Sequence, residues 1–144
     1  MFPQNCNILV CDDSKVSRSL AIKFLNNQGY KNIDEADCAE SALKLLFESP
    51  IRRYELLLLD ISMPGILGTE LVEKIRKSGS KYKDVSIIMI SAESEKKTVL
   101  DALLNGANDY ILKPLTNEIL SNKMQVVWDK LPDDKKSNVI LRSK

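Results

Sequence analysis

The sequence predicts an α/β fold: a five-stranded parallel sheet with helices on both faces, doubly wound. Three observations carry that prediction. Short apolar runs alternate with segments of 3.6-residue periodicity along the whole chain. The runs are apolar at successive positions, which suits strands covered on both faces, the condition of a parallel sheet. At 144 residues the chain has the length of one domain. Folding at that length buries roughly 68–70% of the unfolded surface.

Each element has its own signal. Residues 7–11 (NILVC) read as a buried strand. Residues 14–28 read as a helix, with Val16, Leu20 and Phe24 as a stripe and Ala21 and Leu25 beside it. Ser14 suits its N-cap and Gly29 its C′ position. Residues 32–36 form a weaker strand, and 39–48 a helix through Ala42, Leu43 and Leu46, with Pro50 after it. Residues 54–59 (YELLLL) are too short for a helix and end in loop signals. A Pro/Gly loop (SMPGILG, 62–68) leads to a helix over 69–77 carrying Leu71, Val72 and Ile75. Residues 85–90 (VSIIMI) are the clearest strand, followed by a helix over 95–105 with Val99 and Leu103 on one face. Residues 110–112 are a short strand, and 116–131 the last helix, striped by Leu120, Met124, Val127 and Leu131. Residues 1–131 are thus one domain. Residues 132–144 lose periodicity and gain charge, and read as a C-terminal tail, disordered until bound.

Composition narrows the chemistry. The chain has no histidine, which excludes Ser-His-Asp and Cys-His catalysis and His-containing zinc sites within it. A net charge of +1 gives no sign of a nucleic-acid or anionic-membrane partner. Cys6, Cys11 and Cys38 form no CxxC pair and read as reduced thiols. No apolar stretch approaches the ~18 residues of a membrane span and no secretory signal is visible, so a cytoplasmic protein without membrane insertion is expected.

In open α/β sheets, ligands sit beyond the carboxyl ends of the strands. There the sequence places Asp12 and Asp13 after the first strand, Asp60 after the third, Ser91 after the fourth and Lys113 after the fifth. Asp37 follows the second and weakest strand and falls too far out if that strand is an edge. Like charges 4 Å apart cost ~4 kcal/mol at an effective dielectric of ~20. Three clustered carboxylates therefore call for compensation. Lys113 reduces the excess, and a divalent cation would cancel the rest; an all-oxygen donor set suits Mg²⁺. A well-hydrated cluster, or one filled by Lys or Arg, is the bland alternative. Carboxylate, Mg²⁺, Lys and hydroxyl together suit phosphoryl transfer, with Asp60 as nucleophile and Asp12 and Asp13 at the metal.

These residues resemble the receiver domains of two-component response regulators. The resemblance rests on Cys-Asp12-Asp13, Leu-Leu-Asp60, Met63-Pro64…Gly68, Ile90-Ser91-Ala92, Gly106-Ala107 and Tyr110-Ile-Leu-Lys113-Pro114, and spans about residues 6–131. With Glu93, Lys96 and no output domain in view, it is most similar to stand-alone chemotaxis-type receivers. It implies a flavodoxin-like sheet in the order 2-1-3-4-5. Asp60 would accept a phosphoryl group from a sensor histidine kinase or a histidine phosphotransfer protein. Asp13 and Asp60 would ligate Mg²⁺ directly, Asp12 through water, and Ser62 through its backbone carbonyl. Lys113 would contact the phosphoryl group across a cis bond to Pro114. Ser91 and Tyr110 would be the switch pair that remodels the surface of the fourth helix, fifth strand and fifth helix for a downstream protein.

Such a protein catalyses only its own phosphorylation and aspartyl-phosphate hydrolysis, and is expected as a monomer or weak dimer. The alternative is a receiver-like interaction module that works without phosphorylation. A flavin binder fits poorly, because the first loop lacks a Ser/Thr/Gly phosphate cradle. An Asp-nucleophile phosphatase fits no better, since residues 12–16 (DDSKV) miss the DxDx[TV] pattern. Three positions depart from the family: Leu67 stands where an acidic residue is frequent, Ser62 where chemotaxis examples carry Asn, and Leu115 where Phe is common.

Overall fold

Strands form where apolar residues can be covered twice. In the computed structural model these are β1 (Ile8–Cys11), β2 (Ile33–Ala36), β3 (Leu56–Asp60), β4 (Ser86–Ser91) and β5 (Asp109–Leu112). The structure describes residues 1–48, 52–63, 68–77, 79–92, 94 and 96–144. Pro50, Pro64, Leu67 and Glu93, used in the sequence reading, lie outside them. All neighbouring strands pair in parallel, in the order β2-β1-β3-β4-β5. Every residue of β1, β3 and β4 is buried, whereas the edge strands β2 and β5 are only partly so.

Helices α2 (Ala39–Phe47), α3 (Gly68–Arg76) and α4 (Lys96–Leu104) cover one face of the sheet. Ala42, Leu46, Leu71, Ile75, Val99 and Ala102 pack there on Leu57, Leu59, Ile87 and Met89. The opposite face, with Ile8, Val10, Leu58, Ile88 and Ile111, is covered by α1 (Lys15–Asn27) and α5 (Asn117–Lys130) through Ala21, Leu25, Leu120, Met124 and Val127. The caps follow local chemistry. The Ser14 hydroxyl accepts from the Ser17 N–H, and the Thr116 hydroxyl from the Ile119 N–H. Gly106 ends α4 at φ +115°, where a Cβ would strike the Arg76 side chain 3.0 Å away.

Two expectations need correcting. Val16 is 81% exposed, and the buried residues of α1 are Ala21 and Leu25. The first turn of α1 stands at the carboxyl edge of the sheet, so no strand lies under Val16. Residues 132–144 are not a disordered tail: Asp133–Arg142 forms α6. Val139 is buried against the α5 core, Lys135 pairs with Asp84 at 2.7 Å, and Arg142 pairs with Glu55 at the head of β3. Among the described residues, no helix is long and apolar enough to cross a membrane.

Candidate functional site

The strand order alone brings the acidic residues together. The chain leaves β1 toward β2 on one side, while β3 lies on the other. The crevice at that reversal is where open α/β sheets bind ligands. Cys11 stands opposite Leu59 in the β1–β3 register, so Asp12 and Asp60 come out side by side. One carboxylate oxygen from each of Asp12, Asp13 and Asp60 lies within 4.8 Å of the others. Asp12 and Asp60 are buried, whereas Asp13 is exposed. Tight turns fix the two buried groups: Asp12 Oδ1 accepts from the Ser14 N–H at 2.9 Å, and Asp60 Oδ1 from the Ser62 N–H at 3.2 Å.

Lys113 reaches the cluster from β5. Its backbone N–H donates to the Ser91 carbonyl at 2.8 Å, which seats it beside the end of β4. Its Nζ lies 3.6 Å from Asp60 and 4.0 Å from Asp12. The Lys113–Pro114 peptide is cis. One ammonium does not neutralise three carboxylates, and burial makes the excess costly. Desolvation, then the Asp12 charge, pushes the Asp60 carboxyl up to about 6; the Ser62 N–H and Lys113 only partly oppose this. The site is thus short of positive charge, and its donors are all oxygens, which fits a hard divalent cation such as Mg²⁺.

Ser91 ends β4 between Asp60 and Lys113. It is fully buried, and its hydroxyl oxygen meets no hydrogen-bond partner among the described residues. Buried hydroxyls are normally satisfied, so this one is available to a group arriving at Asp60. Ser62 is exposed next to Asp60. Tyr110 does not join the cluster. It is half-buried on β5, with its ring 5.1 Å from Lys123 Nζ, in a groove shared with Val99, Leu100, Leu103 and Leu112. Asp37 follows edge strand β2 and accepts from the Ser41 hydroxyl at 3.2 Å, away from the cluster. Sequence reasoning missed Arg18, whose Nη1 donates to the Asp12 carbonyl at 2.8 Å. A basic residue one turn into the helix after an Asp pair was the available signal.

Residues 8–125 match the sequence model of the response regulator receiver domain. The chain belongs to that family. It is 38% identical over 120 residues to the chemotaxis protein CheY1 of Helicobacter pylori, covering 83% of this chain and 94% of that protein. It is 30% identical over 128 residues to the chemotaxis protein CheY-3 of Vibrio cholerae, covering 89% and 95%. Among solved structures, this receiver superposes on the chemotaxis response regulator CheY4 of Vibrio cholerae with a TM-score of 0.73 at 27% identity, covering 85% of this chain and 98% of that one. The receiver domain of NtrX from Brucella abortus gives a TM-score of 0.76 at 28% identity, covering 87% and 100%. The chain is therefore a response regulator of two-component signalling, similar to chemotaxis receivers. Helix α6 lies outside the matched residues.

Proposed function

We propose that this receiver is a phosphorylation-dependent switch in the cytoplasm, with Asp60 as phosphoacceptor. The observation that carries the reading is the set around Asp60: two further carboxylates, the Lys113 ammonium at 3.6 Å and the unpartnered Ser91 hydroxyl. An Asp60 oxygen attacks the phosphorus of a phosphohistidine on a sensor histidine kinase or phosphotransfer protein. The P–N bond breaks, and the imidazole leaves with its electron pair. This chain has no histidine, so the donor must come from a partner. Asp13 and Asp60 would hold Mg²⁺ directly, with Asp12 through water and the Ser62 carbonyl completing the set. Bound there, the ion supplies charge neutralisation for the transferring phosphoryl oxygens. Lys113 pairs with one phosphoryl oxygen and the Ser91 hydroxyl donates to another.

The readout is a surface beside this site. Leu100 (57% exposed) and Leu112 (38%) line an apolar groove with Tyr110 between α4 and β5, and Leu104 (77%) is exposed on α4. Drawing Ser91 toward the phosphoryl group frees space for Tyr110 to turn inward, which reshapes the face formed with α5 for a downstream protein.

Incubation with Mg²⁺ and acetyl phosphate, followed by intact-mass measurement, tests the reading. The wild type should gain one phosphoryl group and Asp60→Asn none. A wild type that gains no mass would favour an interaction module that works without phosphorylation. Lys113→Ala should keep the fold while blunting the spectroscopic response to phosphorylation; an undiminished response would make Lys113 a turn residue only.

A further inference from the structure

The Arg18 guanidinium sits beside an acidic cluster that is short of positive charge, yet it pairs with none of the cluster's carboxylates. Nε donates to Glu35 Oε1 at 2.6 Å and Nη1 to the Asp12 backbone carbonyl at 2.8 Å. The side chain is only 13% exposed. Arg18 sits in α1, where its N–H donates to the Ser14 carbonyl, so the helix aims it back toward the end of β1. Glu35 stands on edge strand β2, opposite Val10 of β1. The pair therefore crosses the end of β1 immediately before the Asp12-Asp13 step.

A guanidinium presents five donors in a fork that matches carboxylates, and it is always charged. With Lys113 counted, the three aspartates keep an excess of two negative charges. The cluster carries more negative charge than the one half-exposed carboxylate that holds the guanidinium. Besides Glu35, the guanidinium senses the charges of Asp37 and Asp12. An arginine that moved in would occupy the place a divalent cation needs.

We infer that Glu35 and Arg18 form a positioning pair: Glu35 holds the guanidinium off the Asp12, Asp13 and Asp60 carboxylates and keeps the cluster open to Mg²⁺. This rests on the Mg²⁺ reading above. The Glu35 side chain is 53% exposed, so substituting it leaves the fold intact.

The test is calorimetric titration of the full chain with Mg²⁺ at low salt and again near 1 M salt, for four proteins. Glu35→Gln should weaken Mg²⁺ binding on the order of fivefold to tenfold, the effect of one unit charge set free within several ångströms of the site. Arg18→Met should bind at least as tightly as the wild type, and Glu35→Gln/Arg18→Met should match Arg18→Met. High salt should shrink the Glu35→Gln deficit, a response that a merely structural role would not give. The inference is overturned if Glu35→Gln binds like the wild type, or if the double variant is as weak as Glu35→Gln. A wild type that binds no Mg²⁺ would instead remove the metal reading itself, and this inference with it.

Discussion

Arg142→Met should lower the unfolding free energy by about 3 kcal/mol, although Arg142 lies far from every residue of the acidic site. Its guanidinium meets both Glu55 oxygens, the second contact at 2.8 Å. Glu55 is 5% exposed at the head of β3, with Tyr54, Val85, Ser86 and Val139 around the same cleft. Removing the partner while α6 stays docked leaves a buried carboxylate uncompensated, which costs more than the pair contributes. The loss has a ceiling, because α6 can lift away and let water reach Glu55. Undocking gives up the burial of Val139, worth roughly 1.5–3 kcal/mol, and the exposed Lys135–Asp84 pair, worth about 0–1 kcal/mol. The double variant Glu55→Leu/Arg142→Met should recover most of the loss, since an apolar pair of similar volume needs no partner. Urea denaturation decides the matter. An unchanged midpoint for Arg142→Met would mean that Glu55 is already hydrated and that α6 is held by Val139 and the Lys135–Asp84 pair.

That helix shows where sequence reading stops. β1, β3 and β4 are legible because both faces of each are apolar and turn residues bound them. The same runs place Asp12, Asp13, Asp60, Ser91 and Lys113 at one edge, so most of the site follows once the sheet is known to be parallel. Helix α6 carries no such pattern. Its apolar residues Val139, Ile140 and Leu141 are consecutive, and only Val139 is buried. Its anchor is an ion pair spanning 87 positions, invisible to any local window. The stripe of α1 is misphased for a related reason: periodicity finds an apolar face but not where the sheet beneath it ends, so the stripe includes the exposed Val16. Arg18 is not legible because its partners are a backbone carbonyl and a glutamate on β2. The unpartnered Ser91 hydroxyl is a property of packing, which no residue type announces.

Asp60→Asn should stabilise the metal-free protein at neutral pH by up to about 3 kcal/mol, even though it removes the central residue of the site. Burial and the neighbouring Asp12 charge raise the Asp60 carboxyl from 3.8 to about 6 in the folded chain. The folded state therefore holds its proton through a window in which the unfolded chain has released it. The stability from the protonated form is full below about pH 4 and is lost as pH rises through about 6. At pH 7 the wild type carries the whole electrostatic cost, whereas the amide carries none at any pH. The difference between the two unfolding free energies should thus be largest above pH 7 and shrink toward zero near pH 4. Mg²⁺ should offset much of this difference. An ion bound only by the folded cluster adds about 2.7 kcal/mol at a hundredfold excess over its Kd, and the variant, lacking one carboxylate, gains less. A stability difference flat from pH 4 to 8 would show that Asp60 ionises freely. The excess of buried negative charge that would draw a cation to this site would then be absent.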